Sequence, residues 1–200
     1  MQSRLPNIRS INWFIASLLL FGNACTQNSG TKAIDGNSTQ GQVIDLPQTK
    51  EQTITIEGYE QQIKTKLFQS PEDYPLSFHT YIPEDFTEGR EKSGEGDILI
   101  FSRGKAQLKL MVFSKLVNYK MAEGLAQSMV SSKGELGIDR IKGRTIYSLQ
   151  GDAPNALQVE AGQRNGHAYL WVREFPLEYG DGFGPTANLI MSNVEWASKK

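Results

Sequence analysis

The stretch ALQVEAGQRNGHAYLWVREF, residues 156–175, decides the fold of this chain. Apolar and polar residues alternate on each side of Asn165 and Gly166, which is the pattern of two strands joined by a turn. Both central residues of a type I′ hairpin turn need a positive φ, which Asn and Gly tolerate. The apolar residues of the second strand fall on two opposite faces, Leu170 and Val172 on one and Tyr169, Trp171 and Phe175 on the other. A strand that is apolar on both sides is usually covered on both sides, so this hairpin predicts a sheet with a packing layer on each face.

Strand patterns also occur elsewhere in the chain, mostly in consecutive pairs. Two strands turning at Gly58 are predicted in residues 53–68, and two more, broken at a glycine, in residues 97–114. Single strands are predicted in GRTIYSLQ and in LSFHTYIP, where Pro83 ends the strand because proline cannot donate to the ladder. The mixed-charge segment TEGREKSGEGD, residues 87–97, is predicted to be a solvated loop, with a contact surface as the alternative.

Two segments have helical periodicity instead. The first, residues 118–136, opens at Asn118 as its N-cap, and its apolar residues recur every four positions: Met121, Leu125 and Met129, with Ala122 and Val130 beside them. The second, residues 184–196, has Pro185 in its first turn and an apolar stripe formed by Ala187, Ile190, Met191 and Val194. The resulting order of elements predicts an α+β fold, a mostly antiparallel sheet of about seven to eight strands packed with two helices.

The composition excludes several classes of function. A formal net charge of -1 gives no overall positive field for nucleic acid, whose phosphates must be neutralised by Lys and Arg. A single cysteine excludes an intramolecular disulfide and zinc sites built from several thiolates. The two histidines, His79 and His167, have no cysteine or patterned carboxylate nearby, and no G-x-S-x-G elbow is present. We therefore expect no metal, no cofactor and no catalytic site.

Residues 1–24 have the pattern of a signal peptide: a positive start without acidic residues, the apolar run INWFIASLLLF, and small residues at Gly22 and Ala24 before the lone Cys25. This arrangement resembles the lipobox of bacterial lipoproteins, whose cysteine is diacylated on sulfur and becomes the new N-terminus. That family usually has Leu where this chain has Gly22, so ordinary cleavage after Ala24, giving a secreted protein with a free thiol, is an alternative. The resemblance implies lipid attachment at Cys25 and a place at the cell membrane or outer membrane, facing outside the cytoplasm.

The rest of the chain is predicted to be a tether followed by one domain. Residues 25–52 are rich in Gly, Ser, Thr, Asn and Gln, and such a stretch buries too little apolar area to offset its ordering entropy. Residues 53–200 are predicted to form a single extracytoplasmic α+β domain, long enough to bury a core.

The segment FHTYIPEDF, residues 78–86, and the order of elements over residues 75–197 resemble the PsbP-like superfamily. Its members include an extrinsic subunit of the photosynthetic oxygen-evolving complex and bacterial lipoproteins of the DcrB type. Phe86 stands where many members have tryptophan, and the leading hairpin Thr53 to Phe68 is not part of that pattern. The resemblance implies a non-enzymatic scaffold that binds a protein partner.

The most suggestive stretch for a site is EYGDGFGPTANL, in which glycines precede a predicted helix. Backbone N–H groups at such a start can hold an anion. The candidate binding residues are therefore Tyr179, Gly180, Asp181, Gly182, Phe183 and Gly184. Against this, Asp181 adds negative charge and Pro185 removes a donor, so a tight strand-to-helix connection is the favoured interpretation. The aromatic residues at 169, 171, 175, 179, 183 and 196 either line a pocket or, as their density favours, form core.

The sequence thus predicts a membrane-anchored cell-envelope lipoprotein, not an enzyme, that binds a protein or an envelope component. One alternative is a small-ligand-binding lipoprotein whose aromatic pocket is closed by residues 179–183. The other is an envelope hydrolase, for which the sequence has no nucleophile–base pattern.

Overall fold

A computed structural model describes residues 46–94, 96–141 and 144–197. The predicted signal peptide, Cys25 and residues 26–45 of the predicted tether lie outside the described residues. The first strand begins at Thr49, so the predicted domain boundary at residue 53 falls inside it. The sequence pattern missed these first positions because their side chains are mostly exposed and only their backbone pairs with the next strand.

The described residues form eleven strands and two α-helices. The strands are β1 Thr49–Ile56, β2 Tyr59–Gln69, β3 Phe78–Pro83, β4 Thr87–Lys92, β5 Gly96–Arg103, β6 Ala106–Phe113, β7 Glu135–Ile141, β8 Arg144–Gln150, β9 Asn155–Arg164, β10 His167–Pro176 and β11 Glu195–Trp196. The helices are α1 Tyr119–Ser131 and α2 Gly180–Ser192, and a short 3-10 helix, Leu177–Tyr179, precedes α2.

The strands form two antiparallel sheets. The large sheet has seven strands in the order β4-β5-β6-β10-β9-β8-β7, and the small sheet has four in the order β1-β2-β3-β11. The α+β class, the antiparallel pairing and the two helices are as predicted, whereas the number of strands and their division into two sheets are not. The prediction of one sheet was wrong because membership of a sheet depends on pairing between distant segments, which local alternation does not specify.

The β9–β10 hairpin is confirmed in position and turn. Asn165 has φ 50° and Gly166 has φ 78°, the left-handed values that a type I′ turn requires. The strand β10 lies at the centre of the large sheet between β6 and β9, and both of its faces are buried, as predicted.

Each face of β10 belongs to a separate hydrophobic core. Leu170 and Val172 pack with the buried residues of α1. Trp171 and Phe175 pack with residues of the small sheet and of α2, among them Phe183. The two helices therefore lie in different cores that share the large sheet.

Helix α1 begins as predicted, since the Asn118 side chain accepts a hydrogen bond of 2.9 Å from the backbone N–H of Met121. Of the predicted apolar residues, Ala122 and Val130 are buried, together with Ala126, whereas Met121 and Leu125 are 55% and 37% exposed. Small side chains let the helix approach the sheet closely, and the longer side chains are displaced to its flank.

Helix α2 begins at Gly180, four residues before its predicted start at residue 184. The predicted position of Pro185 in the first turn is therefore wrong, because Pro185 lies inside the helix. Its missing N–H removes one helical hydrogen bond, and in the same turn the Thr186 hydroxyl donates to the carbonyl of Gly182 at 2.6 Å.

The segment 87–97, predicted to be a loop, contains the strand β4 and the start of β5. No residue of β4 is a large apolar one, so no hydrophobic alternation marks it. It is held by its backbone pairing with β5 and by the ion pair between Arg90 and Asp97. The sequence pattern also did not predict β7 or β11. The strand β7 is an edge of the large sheet, and β11 is only two residues long.

Candidate ligand-binding cleft

An open cleft of about 820 Å³ lies between α2 and the outer strands of the large sheet. Residues of β9 and β10 contribute to its floor, β7 and β8 to one side, and β1 and α2 to the other. Its size falls in the range typical of small-molecule sites, which is about 300–1,000 Å³. The cleft is therefore large enough for a small ligand.

The strand register places polar side chains on the floor. Arg173 of β10 lies opposite Gln158 of β9, and Gln158 lies opposite Ser148 of β8. These residues share a face with Trp171 and Phe175, because alternate residues of a strand point the same way. The aromatic face of β10 thus contains one cation.

Arg173 is 8% exposed, which is unusual for an arginine. One guanidinium nitrogen, Nη1, donates to Oδ1 of Asn188 on α2 at 2.7 Å. Among the described residues no carboxylate lies within 4.0 Å of the Arg173 guanidinium. Its partner inside the fold is a neutral amide.

The pKa of Arg173 is lowered from its ordinary value, chiefly because burial removes the charged group from water. The charge of Glu160 acts in the opposite direction, and the positive charge of Arg144 adds to the lowering. Arginine nevertheless remains protonated in proteins, so Arg173 is a buried positive charge in the cleft.

A second arginine lies at the edge of the cleft. Nη1 of Arg144 is 3.3 Å from each carboxylate oxygen of Glu160, with the Arg144 side chain 53% exposed and that of Glu160 10% exposed. Glu160 lies opposite Trp171 rather than opposite Arg173. The ion-pair partner of Glu160 is therefore Arg144.

The remaining lining combines neutral polar and aliphatic groups. Asn188 and Ser192 of α2 lie near Leu189 and Met191 of the same helix, and Ile146 lies on β8. One acidic residue, Asp139, lines the cleft, and it is exposed on the outer strand β7. Such a lining suits a molecule that has both a polar and an apolar part.

The candidate residues of the glycine-rich stretch are divided between the cleft and the core. Gly180 and Gly184 line the cleft, Asp181 is exposed, and Gly182 lies beside the Arg103 side chain. Tyr179 is half-buried and packs against the core at Gly104. Phe183 is fully buried, 5.3 Å from Phe175 and 6.0 Å from Phe86 between ring centroids.

Residues 180–184 are the beginning of α2 itself rather than a loop before it. The aromatic residues at 171, 175 and 183 are buried in the core between the two sheets. The cleft beside them is polar and aliphatic, and of the aromatic set Phe175 alone reaches its lining.

Sequence reasoning missed Arg173, Arg144 and Gln158. For Arg173 a signal was present, since it interrupts the aromatic alternation of Tyr169, Trp171 and Phe175. The histidines make ordinary contacts, His79 with Glu195 at 3.3 Å and His167 with the carbonyl of Phe113 at 2.9 Å. Over the described residues no group of three potential ligands is placed to hold a metal ion.

No family model matches this chain, and no curated protein matches it. The solution structure of cyanobacterial PsbP (CyanoP) from Synechocystis sp. PCC 6803 is similar to it, with 11% identity, coverage of 66% of this chain and 92% of that chain, and a TM-score of 0.43. This is a weak PsbP-like resemblance of fold, and it assigns no function to the present chain. Within residues 46–94, 96–141 and 144–197, no helix has the length and hydropathy needed to cross a bilayer.

The fold and the cleft together define an antiparallel α+β domain with an open cleft of mixed polar and aliphatic lining.

Proposed function

We propose that this chain is a cell-envelope lipoprotein whose domain is a non-catalytic binding module, and that the cleft between α2 and β7–β10 is its binding site. One observation carries the proposal of a binding site: the cleft contains a buried cation, Arg173, whose hydrogen-bond partner among the described residues is the neutral amide of Asn188. A buried charge without a counter-ion is unfavourable for folding. Retaining such a group in a cleft of ligand size is typical of a binding site.

The binding site is tested by filling the cleft. Gly184 lines it, and a Cβ added there meets no other atom within 4 Å. We expect Gly184→Trp to abolish saturable binding of a neutral fluorescent probe, N-phenyl-1-naphthylamine, by occupying the space. The matched control is Gly124→Trp on α1, where an added Cβ also meets no atom within 4 Å. Equal probe binding by both variants would place the site elsewhere.

The anchor is proposed from the sequence around Cys25, which has an apolar run and small residues before it and a polar stretch after it. Two or more acyl chains would hold the protein at the membrane, since each buried CH₂ contributes about 0.8 kcal/mol. Mass spectrometry of the native protein should find acylated Cys25 at its N-terminus, in the membrane fraction. Cys25→Ser should lose the acyl mass and leave that fraction. An unmodified N-terminal cysteine on the natural protein would favour ordinary secretion instead.

A second candidate function is docking of a protein partner on the flank of α1. Met121 and Leu125 are exposed there, and on the same face of the large sheet Ile98, Ile100 and Met111 are half-buried on β5 and β6. An apolar surface of this kind is typical of protein contacts.

The docking candidate is tested with the double variant Met121→Glu and Leu125→Glu. A partner that co-purifies with the wild type should be lost from this variant and kept by Tyr59→Glu, because Tyr59 is a large side chain, 78% exposed, at the β1–β2 turn of the other sheet. Retention by both variants would exclude this surface.

A further inference from the structure

We infer that the cleft takes a small amphipathic acid, a molecule with a carboxylate or phosphate group on an aliphatic body, and that Arg173 binds the anionic group. This inference rests on the proposed binding function and adds the chemical class of the ligand.

Arg173 has donors that the fold does not use for a counter-ion. A guanidinium has five N–H donors in a planar fork, and the structure pairs Nη1 with Asn188 at 2.7 Å. The residues directly opposite Arg173 on its neighbouring strands are Gln158 and Leu108, both uncharged. Carboxylate and phosphate oxygens match the guanidinium fork and form charge-assisted hydrogen bonds with it. An incoming oxyanion would therefore supply a counter-ion that residues 46–94, 96–141 and 144–197 do not place within 4.0 Å of Arg173.

Glu160 stabilises the charge of Arg173 only from a distance and makes no ion pair with it within 4.0 Å. Both of its carboxylate oxygens accept from Nη1 of Arg144 at 3.3 Å. Among the described residues, Arg144, Arg173 and Asp139 are the charged residues that line the cleft, and the charge of Arg144 is already balanced by Glu160. Asp139 is exposed on the outermost strand, where water screens its charge. Arg173 is thus the buried charge of the lining that has no carboxylate within 4.0 Å among the described residues, and a buried cation favours an anion.

The rest of the lining indicates the body of the ligand. Leu189 and Met191 on α2 lie across the cleft from Ile141 and Ile146 on β7 and β8. Aliphatic walls on both sides favour an apolar chain, because burial of apolar surface is favourable in proportion to its area. The geometry therefore combines a cationic floor with aliphatic walls.

The experiment uses the full chain and isothermal titration calorimetry with three probes: octanoate, octanol as its neutral counterpart, and inorganic phosphate. We expect octanoate to bind at least tenfold more tightly than octanol, and phosphate to compete with octanoate for Arg173. Arg173→Met should weaken octanoate binding at least tenfold without lowering the melting temperature. The matched control is Arg140→Met, which changes an exposed arginine of β7 that does not line the cleft. The affinity of this variant for octanoate should equal that of the wild type.

A second variant tests the charge of Arg173 without removing its side chain. Asn188→Asp puts a carboxylate where the amide oxygen of Asn188 now accepts from Nη1 of Arg173. The protein then supplies its own counter-ion, and we expect octanoate binding to fall at least tenfold. Arg173→Lys, which keeps the charge but not the planar fork, should recover part of the affinity that Arg173→Met loses.

The outcomes separate the two proposals. If octanol binds as tightly as octanoate and Arg173→Met has no effect, the acid inference is overturned while binding in the cleft stands. If octanoate does not bind but octanol does, the inference fails in the same way. If none of the three probes and no neutral fluorescent probe binds, the cleft loses its proposed function as well.

Discussion

Arg90 on β4 and Arg173 on β10 lie on the same face of the same sheet, since Arg90 pairs with Leu99 and Arg173 with Leu108, both in the core between the two sheets. Nε of Arg90 donates to Asp97 at 2.8 Å, and Nη1 donates to Asp73 at 2.6 Å. Its guanidinium also lies 5.7 Å from the ring centroid of Tyr74.

Arg173 is more deeply buried than Arg90 and has an amide where Arg90 has two carboxylates. A guanidinium whose charge is balanced inside the fold stabilises that fold, whereas one left without a counter-ion is available to a ligand. The difference in partners, rather than in residue type, separates a structural arginine from a candidate binding arginine.

The largest effect is expected where the structural pair is broken. Asp97→Asn should lower the free energy of unfolding by about 2 kcal/mol, because Asp97 is buried and a buried hydrogen bond to a charged group is worth about 1.5–3 kcal/mol. Urea denaturation measures the change. The control is Glu91→Gln at an exposed position of β4, which should remain within about 0.5 kcal/mol of the wild type. Equal stability of both variants would show that the Arg90 network is not structural.

A smaller effect of opposite sign is expected at the other arginine. Arg173→Met should leave the free energy of unfolding unchanged or raise it by about 1 kcal/mol, because an apolar side chain of similar length avoids the desolvation of a buried charge. The same urea titration measures it. A loss as large as that of Asp97→Asn would mean that Arg173 has a structural role like that of Arg90, and the contrast between them would be gone.

The smallest effect concerns acid pH. Hydrogen bonds from Arg90 and then Lys92 lower the pKa of Asp73 well below its ordinary range. A group with a lowered pKa in the folded state stabilises the fold above its unfolded pKa, which is about 4 for aspartate, and this contribution is lost as pH falls below that value. Asp73→Asn should therefore show a shallower loss of urea midpoint between neutral pH and acid pH than the wild type. Because the Asp73 side chain is 60% exposed, salt screens the effect, and identical acid slopes at low salt would remove Asp73 from the network.

The parts of the fold that sequence could predict are those specified by neighbouring residues. The hairpin from residue 155 to residue 176 has strict alternation and a turn of Asn165 and Gly166, both of which are local signals. The N-cap at Asn118 is local in the same sense. In contrast, β4 has no apolar residue to mark it, and its pairing with β5 and the salt bridge from Arg90 appear only in the folded chain.

The candidate site shows the same division. The glycine-rich stretch predicted a candidate site at residues 179–184, and two of these residues, Gly180 and Gly184, line the cleft. The others were not brought there because α2 begins at Gly180 and its helical geometry turns Phe183 into the core. The cation at the floor of the cleft comes from β10, and the sequence marks it as an exception to an aromatic pattern without showing what surrounds it.

The sequence by itself determined the α+β class, the central hairpin, the presence of two helices and the N-cap of α1, because periodicity and turn chemistry act over a few residues. The tertiary structure alone decided which arginine is neutralised. Arg90 meets Asp97 seven residues away across one turn, while Arg173 meets Asn188 from a helix and is separated from Glu160 by the register of β9. Whether two charged side chains form an ion pair depends on a separation of a few ångströms between segments that only the folded chain brings together. No local sequence pattern specifies that separation.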